Sequence, residues 1–159
     1  MNIKSYRTLL NEHKQLKLES DKTYYICDNA EVTDPEILAL FLTSELKIAN
    51  SADEYFYVFC LNARNQLIGL FEASHGGNCE SIVPIREIFQ KSMLIGAISI
   101  IVAHNHPSGN IKPSIEDLDS TTRIKEAGKI LNIELLDHII VGIVGPNAPY
   151  FSFCENGLI

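Results

Sequence analysis

Two histidines separated by one residue, His104 and His106, close an apolar run that begins near Ala97, and a Pro/Gly-rich loop then leads to Ser114 and Asp117. In an extended chain, positions i and i+2 point the same way, so both imidazoles can reach one ion. The pair alone is a weak signal and reads more readily as two surface histidines in a loop. Asp117 adds to it. The residues that follow have helical periodicity, and Ile124, Gly128 and Leu131 share the face of Asp117. A carboxylate aimed inward needs a partner. Ser114-Ile115-Glu116-Asp117 also has capping-box spacing, so Ser114 can cap the helix while its hydroxyl faces the site. Two imidazoles and a carboxylate suit one divalent ion, best zinc, with an open position for a water. The ion brings the pKa of that water towards neutrality, a nearby carboxylate carries its proton to a leaving amine, and a hydroxyl steadies the oxyanion. The chemistry implied is metal-assisted hydrolysis of an amide.

A further acid lies outside this stretch. On the expected strand from Gln66 to Ser74, alternation puts Glu72 on the face of Ile68 and Leu70, where a carboxylate is costly without work or a partner. A strand-end Glu that reaches solvent just before Gly76-Gly77 fits the same pattern. His138 sits in an apolar strand and reads as a hydrogen-bonded core or supporting histidine. His75, after Glu72, could border a substrate cleft.

The elements that must hold these residues follow from periodicity. Residues 1–22 carry no clear signal, and Thr23 to Cys27 is a short strand or a docked extension. Thr33 and Glu36 have capping-box spacing before a helix with Ile37, Leu38, Phe41, Leu42 and Leu46 on one side, ending near Ala49 or Asn50. Tyr55 to Leu61 is a strand, Asn62 to Asn65 a hairpin turn, and Gln66 to Ser74 the returning strand. Pro84 opens a helix to about Ser92. Ala97 to Ala103 is apolar at nearly every position, as in a central strand covered on both faces. A helix from Ser114 to about Leu131, a strand from Ile133 to Gly142 and a last short strand from Tyr150 to Phe153 complete the order. The expectation is one α/β domain, a mixed sheet with flanking helices. His104 and His106 lie at a strand's carboxyl end, where such sheets place their sites.

Composition narrows the classes. The chain has 159 residues, long enough for one cored domain. Its net charge is −7, with no local Lys/Arg cluster, which speaks against a nucleic-acid backbone binder or nuclease. The longest apolar run, Met93 to Ala103, is shorter than the ~20 residues of a membrane span. No signal-peptide core appears at the N-terminus, and four scattered cysteines read as reduced thiols, so a cytoplasmic protein is expected.

The combination Glu72, His104-Asn105-His106, Ser114 and Asp117 resembles the signature of JAMM (MPN+/JAB) metallopeptidases. The stretches HNHPSGN, PREIF (Pro84 to Phe89) and DHIIVG (Asp137 to Gly142) resemble the RadC branch in particular. The resemblance runs from roughly the first helix to Phe153. It implies a cytidine-deaminase-like fold and one zinc ion with a bound water, held by His104, His106 and Asp117. It further implies Glu72 as general acid/base, with Glu80 and Glu87 as fallbacks, and Ser114 as oxyanion helper. Residues 1–33 are then an N-terminal extension and 34–159 the RadC-like JAB/MPN domain. The helix-hairpin-helix segment of longer RadC proteins finds no counterpart in residues 1–33.

The leading expectation is a zinc metallopeptidase or isopeptidase acting on a peptide or protein, with a homodimer left open. The alternative is a non-catalytic, metal-containing interaction module in DNA repair or mobile-element maintenance. A nucleobase deaminase is disfavoured, because its HxE and CxxC signature is absent.

Overall fold

A computed structural model describes residues 2–26, 32–76, 83–142 and 149–159. The elements are β1 (Asn2–Leu10), β2 (Leu16–Tyr25), α1 (Pro35–Ser44), β3 (Glu54–Leu61), β4 (Leu67–Gly76), α2 (Ile85–Ile95), β5 (Ser99–Asn105), α3 (Ile115–Leu131), β6 (Glu134–Val141) and β7 (Tyr150–Ser152), with a 3₁₀ turn at Ile48–Asn50. The strands form one mixed sheet in the order β2-β1-β4-β3-β5-β6-β7. The β1–β4 and β5–β6 pairs are parallel and the other pairs antiparallel. This is the mixed α/β architecture expected from the pattern.

The sheet has a core on each face. Leu38, Ala39, Phe41 and Leu42 of α1 pack on Phe59, Leu61, Leu70, Ile101 and Ala103. On the other face, Ile88 and Phe89 of α2 and Ile124 of α3 pack on Phe56, Val58, Phe71, Ile100 and Val102. Every residue of β5 is buried, as its unbroken apolar run requires of a strand covered on both sides. Alternation along β5 therefore assigns each side chain to a layer: Ile101 and Ala103 face α1, whereas Ile100, Val102 and His104 face α2 and α3.

Several local expectations are corrected. The first helix is capped by Asp34, whose carboxylate accepts from the Glu36 amide, and not by Thr33. It stops at Ser44, well before Asn50. The Thr43 and Ser44 hydroxyls bond back to the carbonyls of Ala39 and Leu40, and Lys47 adopts a left-handed φ of 56°. Residues 2–25, mostly without an expected element, form a hairpin. β2 contains no fully buried residue, so its pairing comes from its hairpin partner and leaves little apolar alternation to read. Tyr6 of β1 lies over Gly69 of β4, where an added Cβ would sit 2.5 Å from the ring. Ile68 and Leu70 do not share a face. The β3–β4 register shifts between Cys60 and Leu61, so Leu70 packs towards α1 and Ile68 towards α2.

The ends of β5 and β6 and the start of α3 meet at one corner of the sheet. The loop after His106 is held there by close backbone approach. Gly142, just beyond β6, lets Gly109 and Ile111 pack so near that a Cβ at 142 would lie 2.7 Å from the Gly109 carbonyl. Gly142→Ala should therefore push the loop outward and destabilise the fold by about 1–3 kcal/mol, the usual cost of overpacking. Denaturant melts of the two proteins check this, and equal midpoints would contradict it.

Candidate metal centre

His104 Nε2 and His106 Nε2 lie 2.9 Å apart. Asp117 closes the group, with Oδ1 at 3.1 Å from His104 Nε2 and Oδ2 at 3.2 Å from His106 Nε2. These residues come from three places: His104 from within β5, His106 from just past its end, and Asp117 from the first turn of α3. They form a cluster that could hold a metal ion. The spacings approach the roughly 3.3 Å edges of a tetrahedron built on ~2.0–2.1 Å bonds to zinc.

Each ligand is oriented by a second contact. His106 Nδ1 lies 2.6 Å from the Asn110 carbonyl, which can only accept, so Nδ1 carries a proton and Nε2 is the nitrogen turned to Asp117. His104 Nδ1 lies 2.8 Å from His138 Nε2. The Asp117 side chain accepts from both the Ser114 amide (2.7 Å) and the Ser114 hydroxyl (2.6 Å), while the Asp117 amide donates to Ser114 Oγ. This is the capping box read from the sequence, and it fixes the carboxylate. Burial by itself raises the Asp117 pKa, but the bonds from the two histidines outweigh it and hold the carboxyl far below the usual range. Bonding to Asp117 raises the His106 pKa. Ile124 and Gly128 share the buried stripe of α3 with Asp117, whereas Leu131 at its end is largely exposed.

The cluster opens on a cleft of about 680 Å³ whose walls include Glu54, Phe56, Val83, His106, Ser114 and Asp117. Glu54 went unnoticed in the sequence. It begins β3, two residues before Phe56, and so shares the Phe56 face. Phe56 pairs directly with His104 across the β3–β5 ladder and stacks on its ring. The half-buried Glu54 carboxylate is close enough to His106 to help raise its pKa. Asn105, fully buried between the two histidines, holds this strand start: its side chain accepts from the Tyr55 amide (2.8 Å) and donates to the Asp53 carbonyl (3.0 Å). Extending the expected strand one residue back, to Glu54, was the available signal. The register that places it beside His104 was not.

Glu72 lies elsewhere. It pairs with Tyr57 across the β3–β4 ladder, Tyr57 pairs with Ala103, and Ala103 faces α1. The pleat thus turns Glu72 to the sheet face opposite His104. Its carboxylate binds His75 Nδ1 at 2.6 Å and accepts from the Tyr57 hydroxyl at 3.3 Å, and neither it nor His75 lines the cleft. Glu87 is exposed on α2 and also absent from the cleft walls, and Glu80 lies outside the described residues. Ser114 lines the cleft with its hydroxyl proton engaged by Asp117. Both cysteines among the described residues, Cys60 and Cys154, are free and neither belongs to the cluster, and burial pushes the Cys60 thiol up to about 12.

Comparison with known proteins identifies the family of the chain. The sequence profile described as the RadC-like JAB domain matches residues 32–158. A UPF0758 protein of Clostridium acetobutylicum is 41% identical over 138 residues, covering 87% of this chain and 58% of that protein. A UPF0758 protein of Rubrobacter xylanophilus is 43% identical over 113 residues, covering 71% of this chain and 48% of that protein. The chain thus spans about half the length of these curated relatives. With most of its length matched and the His-His-Asp cluster in place, the chain belongs to the RadC-like JAB domain family.

Proposed function

We propose that this chain is a zinc-dependent hydrolase of peptide-like amide bonds, with His104, His106 and Asp117 as metal ligands and Glu54 as general acid/base. The observation that carries the reading is the placement of one half-buried carboxylate, Glu54, in the wall of the cleft onto which the three convergent ligands open. Zinc is favoured over harder ions because two of the three donors are imidazoles. When bound there, the ion acidifies water and polarises a carbonyl. The chain's own groups do the rest. Glu54 takes a proton from the attacking water and returns it to the departing amine, which completes hydrolysis without a covalent intermediate. Asn105 keeps Glu54 on station by holding the backbone on both sides of it. Ser114 orients Asp117, and stabilises a substrate oxyanion only if its proton leaves that carboxylate. Phe56 and Val83 supply an apolar wall that limits water. A peptide or protein substrate fits an open cleft of this kind. No helix among the described residues is long and apolar enough to cross a membrane.

Protein purified with zinc should contain one ion per chain by elemental analysis, and His104→Ala with His106→Ala should remove it. Unchanged zinc in the double variant would sink the ligand assignment. For catalysis, the zinc-loaded chain is incubated with a mixed peptide library and cleavage is read by mass spectrometry. Glu54→Gln should lower turnover by about 10²–10⁴-fold with zinc retained, while Glu72→Gln leaves turnover close to wild type. The reverse ranking would restore Glu72 as the base, and absence of cleavage by the wild type would favour a non-catalytic module. Asn105→Ala should lower kcat more than it raises KM, because it displaces Glu54 without touching the ligands. A loss confined to KM would count against that positioning.

A further inference from the structure

Beneath the metal centre lies a chain of buried polar contacts that the proposed hydrolysis does not use. His104 Nδ1 is 2.8 Å from His138 Nε2. His138 Nδ1 is 2.6 Å from Thr121 Oγ1, and Thr121 Oγ1 is 2.6 Å from the Asp117 carbonyl. His104 and His138 are fully buried and Thr121 nearly so. The ring of His138 stacks on Phe153 and tilts against Phe56, which seals it from water.

Proton counting gives this chain one direction. A carbonyl has no proton to offer, so the short Thr121–Asp117 contact requires the Thr121 hydroxyl to donate there. A hydroxyl has only one proton. Thr121 Oγ1 must therefore accept from His138, which puts a proton on His138 Nδ1. As a neutral ligand offering Nε2 to an ion, His104 carries its proton on Nδ1, and His138 Nε2, 2.8 Å away with its ring proton already committed to Thr121, is the nitrogen left to receive it. It must accept from His104 Nδ1–H, and the His104 lone pair then lies on Nε2, facing His106 and Asp117. Ser120 Oγ also donates to the Asp117 carbonyl, at 3.1 Å.

We infer that His138 and Thr121 are positioning residues that lock His104 in its Nδ1–H tautomer and so present Nε2 to the metal. The anchor is the backbone of Asp117, which also supplies the third ligand. One residue thus gives its carboxylate to the ion and its carbonyl to the relay that prepares the opposite ligand. His106 reaches the same tautomer through the Asn110 carbonyl, so the two ligands are prepared by independent devices. This inference rests on the proposed metal-ligand role of His104 but not on any hydrolytic activity.

Two-bond proton–nitrogen NMR on the full chain at about pH 8, without metal and after adding zinc, reads the tautomers directly. The wild type should show His104 and His138 protonated on Nδ1 alone in both states. Protonation of either ring on Nε2 would overturn the inference. Thr121→Val removes the acceptor while keeping side-chain shape. It should mix the His138 tautomers and weaken zinc binding by about 10-fold or more, the usual cost of losing a ligand's supporting contact, with Thr121→Ser restoring both. Wild-type zinc affinity in a folded Thr121→Val protein would equally refute it. If Thr121→Val does not fold, the wild-type spectrum decides alone. Failure of peptide hydrolysis with Nδ1–H tautomers intact would count against the hydrolase reading and leave this inference standing.

Discussion

The structure depends on one electrostatic constraint: three proton acceptors, two imidazole nitrogens and a carboxylate, converge within about 3 Å of one another at a buried corner of the sheet. Such groups repel unless a proton or a cation lies among them. Everything around them stops relief by rotation. Ser114 fixes Asp117, Asn110 fixes His106 and His138 fixes His104. Gly142 lets the Asn110 loop approach, and the fully buried β5 forms the floor. A fold that holds these three groups together from so many sides could hold a cation there.

Strand parity decides which acid reaches the cleft. Each residue on β3 and β4 faces either the α1 layer or the α2/α3 layer, and the His104 ring faces the second. Glu54 shares that side through Phe56, while Glu72 shares the side of Tyr57 and Ala103. No side-chain rotation moves Glu72 through the sheet. Its carboxylate is engaged with Tyr57 and His75, and the Tyr57 hydroxyl's pKa is raised by burial and by that carboxylate.

Much of this was legible in the sequence because it is local. The HxH spacing, the Ser114–Asp117 capping box and the buried character of the 97–103 run each depend on residues close in the chain. The family match likewise covers most of the stretch that carried the resemblance. What was not legible depends on pairing between distant segments. Glu72 does share the face of Leu70, but that face turns to α1, away from His104, and only the β3–β4 and β3–β5 ladders reveal it. Glu54 was passed over because only the β3–β5 ladder, which sets Phe56 opposite His104, brings it to the cleft. The N-terminal hairpin was missed because its second strand faces water on most positions, and its support comes from β1 and from Tyr6 over Gly69. The apolar setting of His138 was visible, but the direction of its hydrogen bonds emerges only when Thr121, one helical turn beyond Asp117, is placed beside it.

On the proposed reading, this corner binds zinc through two histidines and one aspartate, with a position left open. X-ray absorption at the zinc edge of the loaded protein tests it most directly. The expected spectrum shows nitrogen and oxygen donors only, two of them with the outer-shell scattering of imidazole, and an oxygen beyond those the three side chains supply. Sulfur in the first shell, fewer than two imidazoles, or a fourth protein ligand filling the open position would contradict it.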